Sequence, residues 1–211
     1  IYPENLTFGG TDGLKLTVDS YDSEKAGELL AEAGYEDTDG DGILDKDGKN
    51  LSFKVITYSY NNNCIQLADM LQAELAQIGI DISIETMDVL DDALASGDYD
   101  IAILNYAMAP IGTPSYFINM VFTTGASNNY GGYSNEKVDA LAAEISSTAD
   151  TAKADALTKE LSQQVLDDNA FAFVADQQLI FVYSNRVKGV QINPTEYYLV
   201  TNTLTVEEQS K

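Results

Sequence analysis

From Leu51 to Leu104 the apolar residues change their spacing in a regular rhythm, and that rhythm leaves few architectures open. Leu51–Tyr58 reads as a strand. Asn61–Asn63 then offer a helix cap. Ile65, Ala68, Leu71, Leu75 and Ile78 follow at the spacing of one helix face, and Gly79 stops them. Ile80, Ile82 and Ile84 next alternate with Asp81, Ser83 and Glu85, the period of a half-buried strand. Val89–Ala95 suits a short helix. Ile101–Leu104 is an unbroken apolar run, expected as a central strand covered on both faces. One more helix precedes this series: Asp22 caps it, Ala26, Leu29, Leu30 and Ala33 form its inner face, and Gly34 closes it. Alternating helices and strands predict an α/β fold, a mostly parallel sheet with crossover helices. Such sheets bind ligands beyond the carboxyl ends of their strands. The segment after Leu104 is such a place.

The flanks are less regular. Residues 1–20 read as an entry loop with a short strand at Leu14–Val18. Residues 105–133 are rich in Asn, Gly, Pro and Tyr, with a short helix near Ser115–Phe122. Ser134 is the expected cap of a helix that turns Val138, Leu141, Ala142 and Ile145 inward, and another helix runs from about Thr151 to Asp168. Phe171–Val174 and Ile180–Tyr183 read as strands, and the tail from Gly189 as extended chain carrying Pro194. At 211 residues the chain suits one domain or one large lobe, and a 45% hydrophobic share suffices for a core.

Charge and residue usage remove whole classes of function. Lys and Arg number 11 against 34 Asp and Glu, a net charge of −23. Nucleic acid and anionic membrane surfaces need the opposite sign. With no His, Ser-His-Asp and Cys-His catalysis are unavailable within the chain, as is a structural zinc site of the Cys/His type. A single Cys, Cys64, makes no internal disulfide and sits on an apolar helix face as a small buried hydrophobe. The paired acids Asp91/Asp92 and Asp98/Asp100 fall at element ends, where solvated carboxylates are ordinary. No stretch approaches the ~18 apolar residues of a membrane span. The chain opens at Ile1 without a signal sequence, and it reads as an excised domain.

The sharpest local motif is Asp37-Thr38-Asp39-Gly40-Asp41-Gly42-Ile43-Leu44-Asp45. It fits the start of a calcium loop: carboxylates of Asp37, Asp39 and Asp41 at alternate positions, the Ile43 carbonyl as backbone ligand, and Asp45 at the ninth position. The twelfth position is Gly48, where an EF-hand carries a bidentate Glu, and a strand follows in place of a helix. The expectation is a structural calcium ion or a plain solvated turn; no cofactor is required.

Six segments together resemble a known family. Tyr21-Asp22-Ser23-Glu24-Lys25-Ala26 through Gly34-Tyr35, the Asp37–Gly42 loop with the following strand, Ala68–Ile84, Gly97-Asp98-Tyr99-Asp100-Ile101, Tyr133–Asp139, and Val187-Lys188-Gly189-Val190 with Asn193-Pro194 occur in the order found in family 5 extracellular solute-binding proteins. These are the peptide/nickel receptors of ABC importers. The resemblance covers nearly the whole chain and implies one lobe of a type II periplasmic-binding-protein-like fold. Residues 1–188 would form the α/β lobe, and residues 189–211 a tail returning to a second, absent lobe. It implies no enzymatic activity, an extracytoplasmic location (a cell-surface lipoprotein or a periplasmic protein), a monomer, and an ABC transporter permease as partner. The ligand, an oligopeptide or a nickel or other metal chelate, would be held by closure of two lobes. Asn105, Tyr106, Met108, Asn129 and Tyr130 are the expected ligand contacts. Peptide-binding members carry a W-x-x-D-x-x-D-P segment after this strand, whose first Asp holds the peptide's amino terminus. Here that position is Pro110, and the second Asp is Thr113. That departure argues against a standard free-amine peptide and leaves room for a metal chelate or a capped ligand. The alternative from another class is a calcium-stabilised extracellular adhesion module built around the acidic loop. A glycosidase would need one convergent carboxylate pair, and the acids are scattered.

Overall fold

The computed structural model describes residues 1, 2, 6, 8–10, 14, 21–176, 180–191 and 200–208. The chain divides into two compact units, one of residues Asp19–Tyr106 and one of Ile1–Val18 with Ala107–Lys211.

The first unit follows the periodicity of its sequence. Helix α1 spans Ser23–Glu32, and the Asp22 carboxylate accepts from the Lys25 amide at 2.9 Å. A two-residue hairpin, β1 (Asp45–Lys46) and β2 (Lys49–Asn50), follows the acidic loop. Strand β3 (Ser52–Tyr58), helix α2 (Asn62–Ala76), strand β4 (Asp81–Met87), helix α3 (Asp91–Ser96) and strand β5 (Ile101–Ile103) complete the unit. The sheet order is β4-β3-β5, and both pairings are parallel. Register sets Tyr58 opposite Met87 and Thr57 opposite Ile103, so all three carboxyl ends share one edge. Val55, Ala68, Ile80 and Ile82 form the core, with Leu71 and Leu75 of α2 and Ile78 of the following turn packed against it.

Two expectations are corrected in this unit. The central strand is β3, whose Val55, Ile56 and Thr57 are fully buried. Ile101–Ile103, expected in the middle, pairs only with β3 among the described residues and stays half-buried. The acidic segment, expected as loop throughout, ends in the β1–β2 hairpin because Asp47 and Gly48 adopt φ of 53° and 72°. Two successive positive φ values make the tight turn that matches strand twist. Gly79 ends α2 at φ 78° and receives Leu44 across it: the Leu44 amide donates to the Gly79 carbonyl at 2.7 Å.

The second unit is mainly helical. Helices α4 (Ser115–Val121), α5 (Glu136–Ser147) and α6 (Thr151–Asp167) carry its core of Phe117, Ile118, Val121, Val138, Leu141, Ala142, Ile145, Leu161 and Val165. Asn135 caps α5, one residue later than expected; its side chain accepts from the Lys137 and Val138 amides. Tyr2 lies buried here, its hydroxyl donating to the Pro114 carbonyl at 2.6 Å.

Phe171–Val174 and Ile180–Tyr183 form no strands. Their residues favour strands by type, but strand preference is realised only against a neighbouring strand. Phe171 and Phe173 instead stack around Phe122, at 5.0 and 6.1 Å between ring centroids. A short antiparallel pair, β6 (Val187–Lys188) with β7 (Thr205–Val206), ties the start of the tail to its later part. Of the strand expected at Leu14–Val18, residues 15–18 lie outside the described residues, as do Asn193 and Pro194.

Candidate ligand-binding site

The carboxyl edge of the parallel sheet collects aromatic, amide and acidic side chains. Beyond β3 come Ser59, Tyr60 and Asn61; beyond β4 comes Asp88; beyond β5 come Asn105 and Tyr106. The Ser59 amide extends the ladder to the Met87 carbonyl at 2.8 Å, and its hydroxyl donates to the Asp88 carboxylate. Asn61 turns the chain into α2 by accepting from the Asn63 and Cys64 amides. Tyr58 and Tyr60 face each other with ring centroids 5.2 Å apart and planes tilted by 40°. Burial first pushes the Tyr58 hydroxyl up to about 12, and the neighbouring Tyr60, Tyr106, Cys64 and Asp91 act in the same direction. Tyr58 is therefore a neutral donor throughout the physiological range. Burial likewise raises the Cys64 thiol, which keeps it protonated and unreactive.

Asn105 is exposed and Tyr106 half-buried at this edge, beside Tyr58. The sequence reading did not single out Tyr58 and Tyr60, which lie at this same carboxyl edge. The signal was available: a Tyr-x-Tyr pair at a strand's carboxyl end, followed directly by a helix cap.

The other three expected contacts belong to the second unit. Met108 is half-buried just before the turn at Ala109–Gly112. Asn129 and Tyr130 lie half-buried on the loop between α4 and α5. The Asn129 amide nitrogen donates to the carbonyls of Thr123 and Tyr133 at 3.0 and 2.7 Å, and its oxygen accepts from the Tyr133 amide at 2.9 Å. Asn129 thus fastens its own loop. A pocket of about 350 Å³ opens in this unit between Phe8, Gly112–Ser115 and the α5–α6 turn, but none of the five expected residues lines it. Its carboxylate, Asp155, is already engaged by the Gly9 amide at 2.6 Å and by Lys159 at 3.5 Å.

In the acidic loop, oxygens of Asp37, Asp39 and Asp45 converge to within 4.8 Å of one another. Asp41 faces elsewhere, accepting from the Ile43 amide and the Asn50 side chain at 2.8 and 3.1 Å. Protein donors already serve the carboxylates: Asp37 accepts from the Gly40 and Gly42 amides, and Asp45 from the amide and hydroxyl of Thr38. These bonds tie the loop to itself.

A crossover-built parallel sheet with a polar and aromatic carboxyl edge is the architecture of a small-ligand binding lobe. Comparison with known proteins gives the family. The model of bacterial extracellular solute-binding proteins, family 5 Middle, matches residues 2–129, and the chain belongs to this family. It is 27% identical over 178 residues to the oligopeptide-binding protein AppA of Bacillus subtilis, covering 82% of this chain and 33% of AppA. It is 25% identical over 170 residues to the nickel-binding protein NikA of Staphylococcus aureus, covering 78% of this chain and 35% of NikA. The chain thus spans about a third of the length of these relatives. Among solved structures, B. subtilis AppA in complex with a nonapeptide matches 95% of this chain and 40% of its own length, with a TM-score of 0.74 at 23% identity. NikA from S. aureus in complex with Ni(L-His)2 matches 92% and 40%, with a TM-score of 0.70 at 22% identity. These likenesses show the fold, a family 5 periplasmic-binding-protein architecture with a parallel sheet flanked by helices. The calcium-stabilised adhesion module finds no support among the comparisons.

Proposed function

We propose that this chain is the substrate-binding portion of an ABC importer receptor that captures an oligopeptide or a metal chelate outside the cytoplasm. The observation that carries the reading is family membership combined with the carboxyl edge, where Tyr58 and Tyr60 at the end of β3 lie beside Asn105 and Tyr106 at the end of β5. The protein is a binder and not an enzyme. It acts with a permease, as a monomer, either free in the periplasm or anchored at the cell surface. Residues 1–188 serve the binding lobe, and 189–211 form a tail that returns to the remainder of a larger receptor. Two-lobe closure would supply the contacts this portion lacks.

Of the two ligand classes, the peptide reading draws support from the relative AppA and the chelate reading from NikA. Pro110 stands where the amine-holding Asp of peptide-binding members falls, which favours a ligand held by other means. With no His in the chain, any metal would arrive with its ligands supplied elsewhere. Native mass spectrometry of the protein as its gene encodes it, purified without denaturation, separates the classes. A ladder of short-peptide masses establishes a peptide receptor. A single small mass with a metal isotope pattern establishes a chelate receptor. A protein that carries nothing, and takes up nothing from peptide or chelate mixtures, would overturn the reading.

A further inference from the structure

The two ends of β3 differ in chemistry. Toward its amino end, the Lys54 ammonium is neutralised by Glu85 at 3.0 Å and Asp98 at 2.9 Å. At its carboxyl edge, residues 58–64, 87–92 and 104–106 contain no Lys or Arg. They do contain Asp88, Asp91, Asp92 and the three tyrosines Tyr58, Tyr60 and Tyr106. Tyr60 is 69% exposed, far more than an aromatic ring in a settled core. Its position is nonetheless fixed, because the ring rests on Tyr58 and the Asn61 cap holds the backbone immediately after it.

An exposed, positioned ring beside uncompensated carboxylates is suited to one kind of group. A cation is drawn to the face of a tyrosine and to the surrounding negative charge alike. An anionic group would be repelled by the same carboxylates. The geometry points to Tyr58 and Tyr60 as the wall that receives a cationic side chain, arginine or lysine, of a bound peptide. This rests on the reading of the protein as a solute receptor and selects the peptide branch of it. The guanidinium or ammonium lies over the Tyr60 ring, and the half-buried Tyr58 behind it supplies the floor and a neutral hydroxyl donor. Asp88 and Asp91 contribute attraction at a distance.

The test is calorimetric titration of the protein as its gene encodes it, with matched tetrapeptides carrying lysine, norleucine or glutamate at each position in turn. It is run at about 0.5 M salt, where the diffuse field of a chain at −23 is screened and contact terms remain. At one position the lysine peptide should bind about threefold to thirtyfold tighter than the norleucine peptide. Tyr60→Leu should close that gap, while Tyr60→Phe, which keeps the ring, should preserve it. Because Tyr60 is exposed, neither change threatens the fold. A gap that is absent, or that survives unchanged in Tyr60→Leu, overturns the tyrosine assignment while the receptor reading stands. Failure of every peptide to bind overturns the assignment together with the peptide reading beneath it.

Discussion

At the scale of single residues, hydrogen bonds decide which polar groups face outward. Asn129 is an expected ligand contact because it sits in a Gly-rich loop. The structure shows its amide bonded to backbone at three points of that loop. Asn is common in ligand sites and in turns for one reason, its short amide, so sequence alone does not separate the two uses. The cluster around Asp168 is similar. Its carboxylate accepts from the Tyr133 hydroxyl at 2.5 Å and from Asn135 at 2.7 Å, and the Tyr133 bond is the largest influence holding the carboxyl below its ordinary range. A depressed folded pKa means that this bond stabilises the fold above the unfolded carboxylate pKa of about 4 and loses its effect as pH falls through the folded value. Tyr133→Phe should therefore lower stability at pH 7, and the gap from wild type should narrow below about pH 4. Urea unfolding across pH 2.5–7 (about) measures it; a gap independent of pH would show that the hydroxyl does not bond the ionised acid.

At the scale of elements, what was legible in the sequence is what local periodicity and caps determine. Helices α1, α2, α4 and α6 and strands β3 and β4 fall within a residue or two of their expected places, because their periodic patterns are uninterrupted; Asx caps fix the starts of α1, α2 and α6. Partner-dependent features were not legible. Ile101–Ile103 is as apolar as a central strand, yet order in a sheet depends on which neighbours pair with it. Phe171–Val174 and Ile180–Tyr183 have strand composition and no ladder among the described residues. At the carboxyl edge, the strand-end rule pointed to Asn105 and Tyr106; the same rule applied to β3 would have pointed to Tyr58 and Tyr60, which register lays beside them. The contact between Gly79 and Leu44 is another non-local feature. A Cβ at Gly79 would stand 2.7 Å from Leu44 Cγ and 3.3 Å from the Leu44 amide nitrogen, at a φ of 78°. Gly79→Ala should cost upwards of about 1 kcal/mol, from the φ alone and from displaced Leu44. Chemical denaturation reads this directly, and an unchanged midpoint would mean that the α2–β4 turn relaxes freely.

At the scale of the whole molecule, charge dominates. A net −23 on 211 residues opposes compaction by self-repulsion. Only seven ion pairs are present among the described residues, and in all but the half-buried Lys159–Asp155 pair at least one partner is substantially exposed, so they offset little of it. Raising sodium chloride from about 10 mM to about 0.5 M shortens the Debye length from ~30 Å to below 10 Å. The urea midpoint should rise over that range. A midpoint that falls with salt would mean that attractive pairs outweigh the repulsion. The same field would hasten the approach of positively charged ligands, and less so as salt is added.

The pairing of Tyr58 with Tyr60 has an optical consequence. The chain holds 13 tyrosines and no tryptophan, so no indole is present in it to drain tyrosine excitation. Emission from these 211 residues is tyrosine emission, and two of the emitters sit 5.2 Å apart at the edge where a ligand would arrive. A guest that settles on those rings changes their surroundings and their exchange of excitation at once. Recognition at this edge would then announce itself as a change in the protein's own ultraviolet glow, without any attached dye.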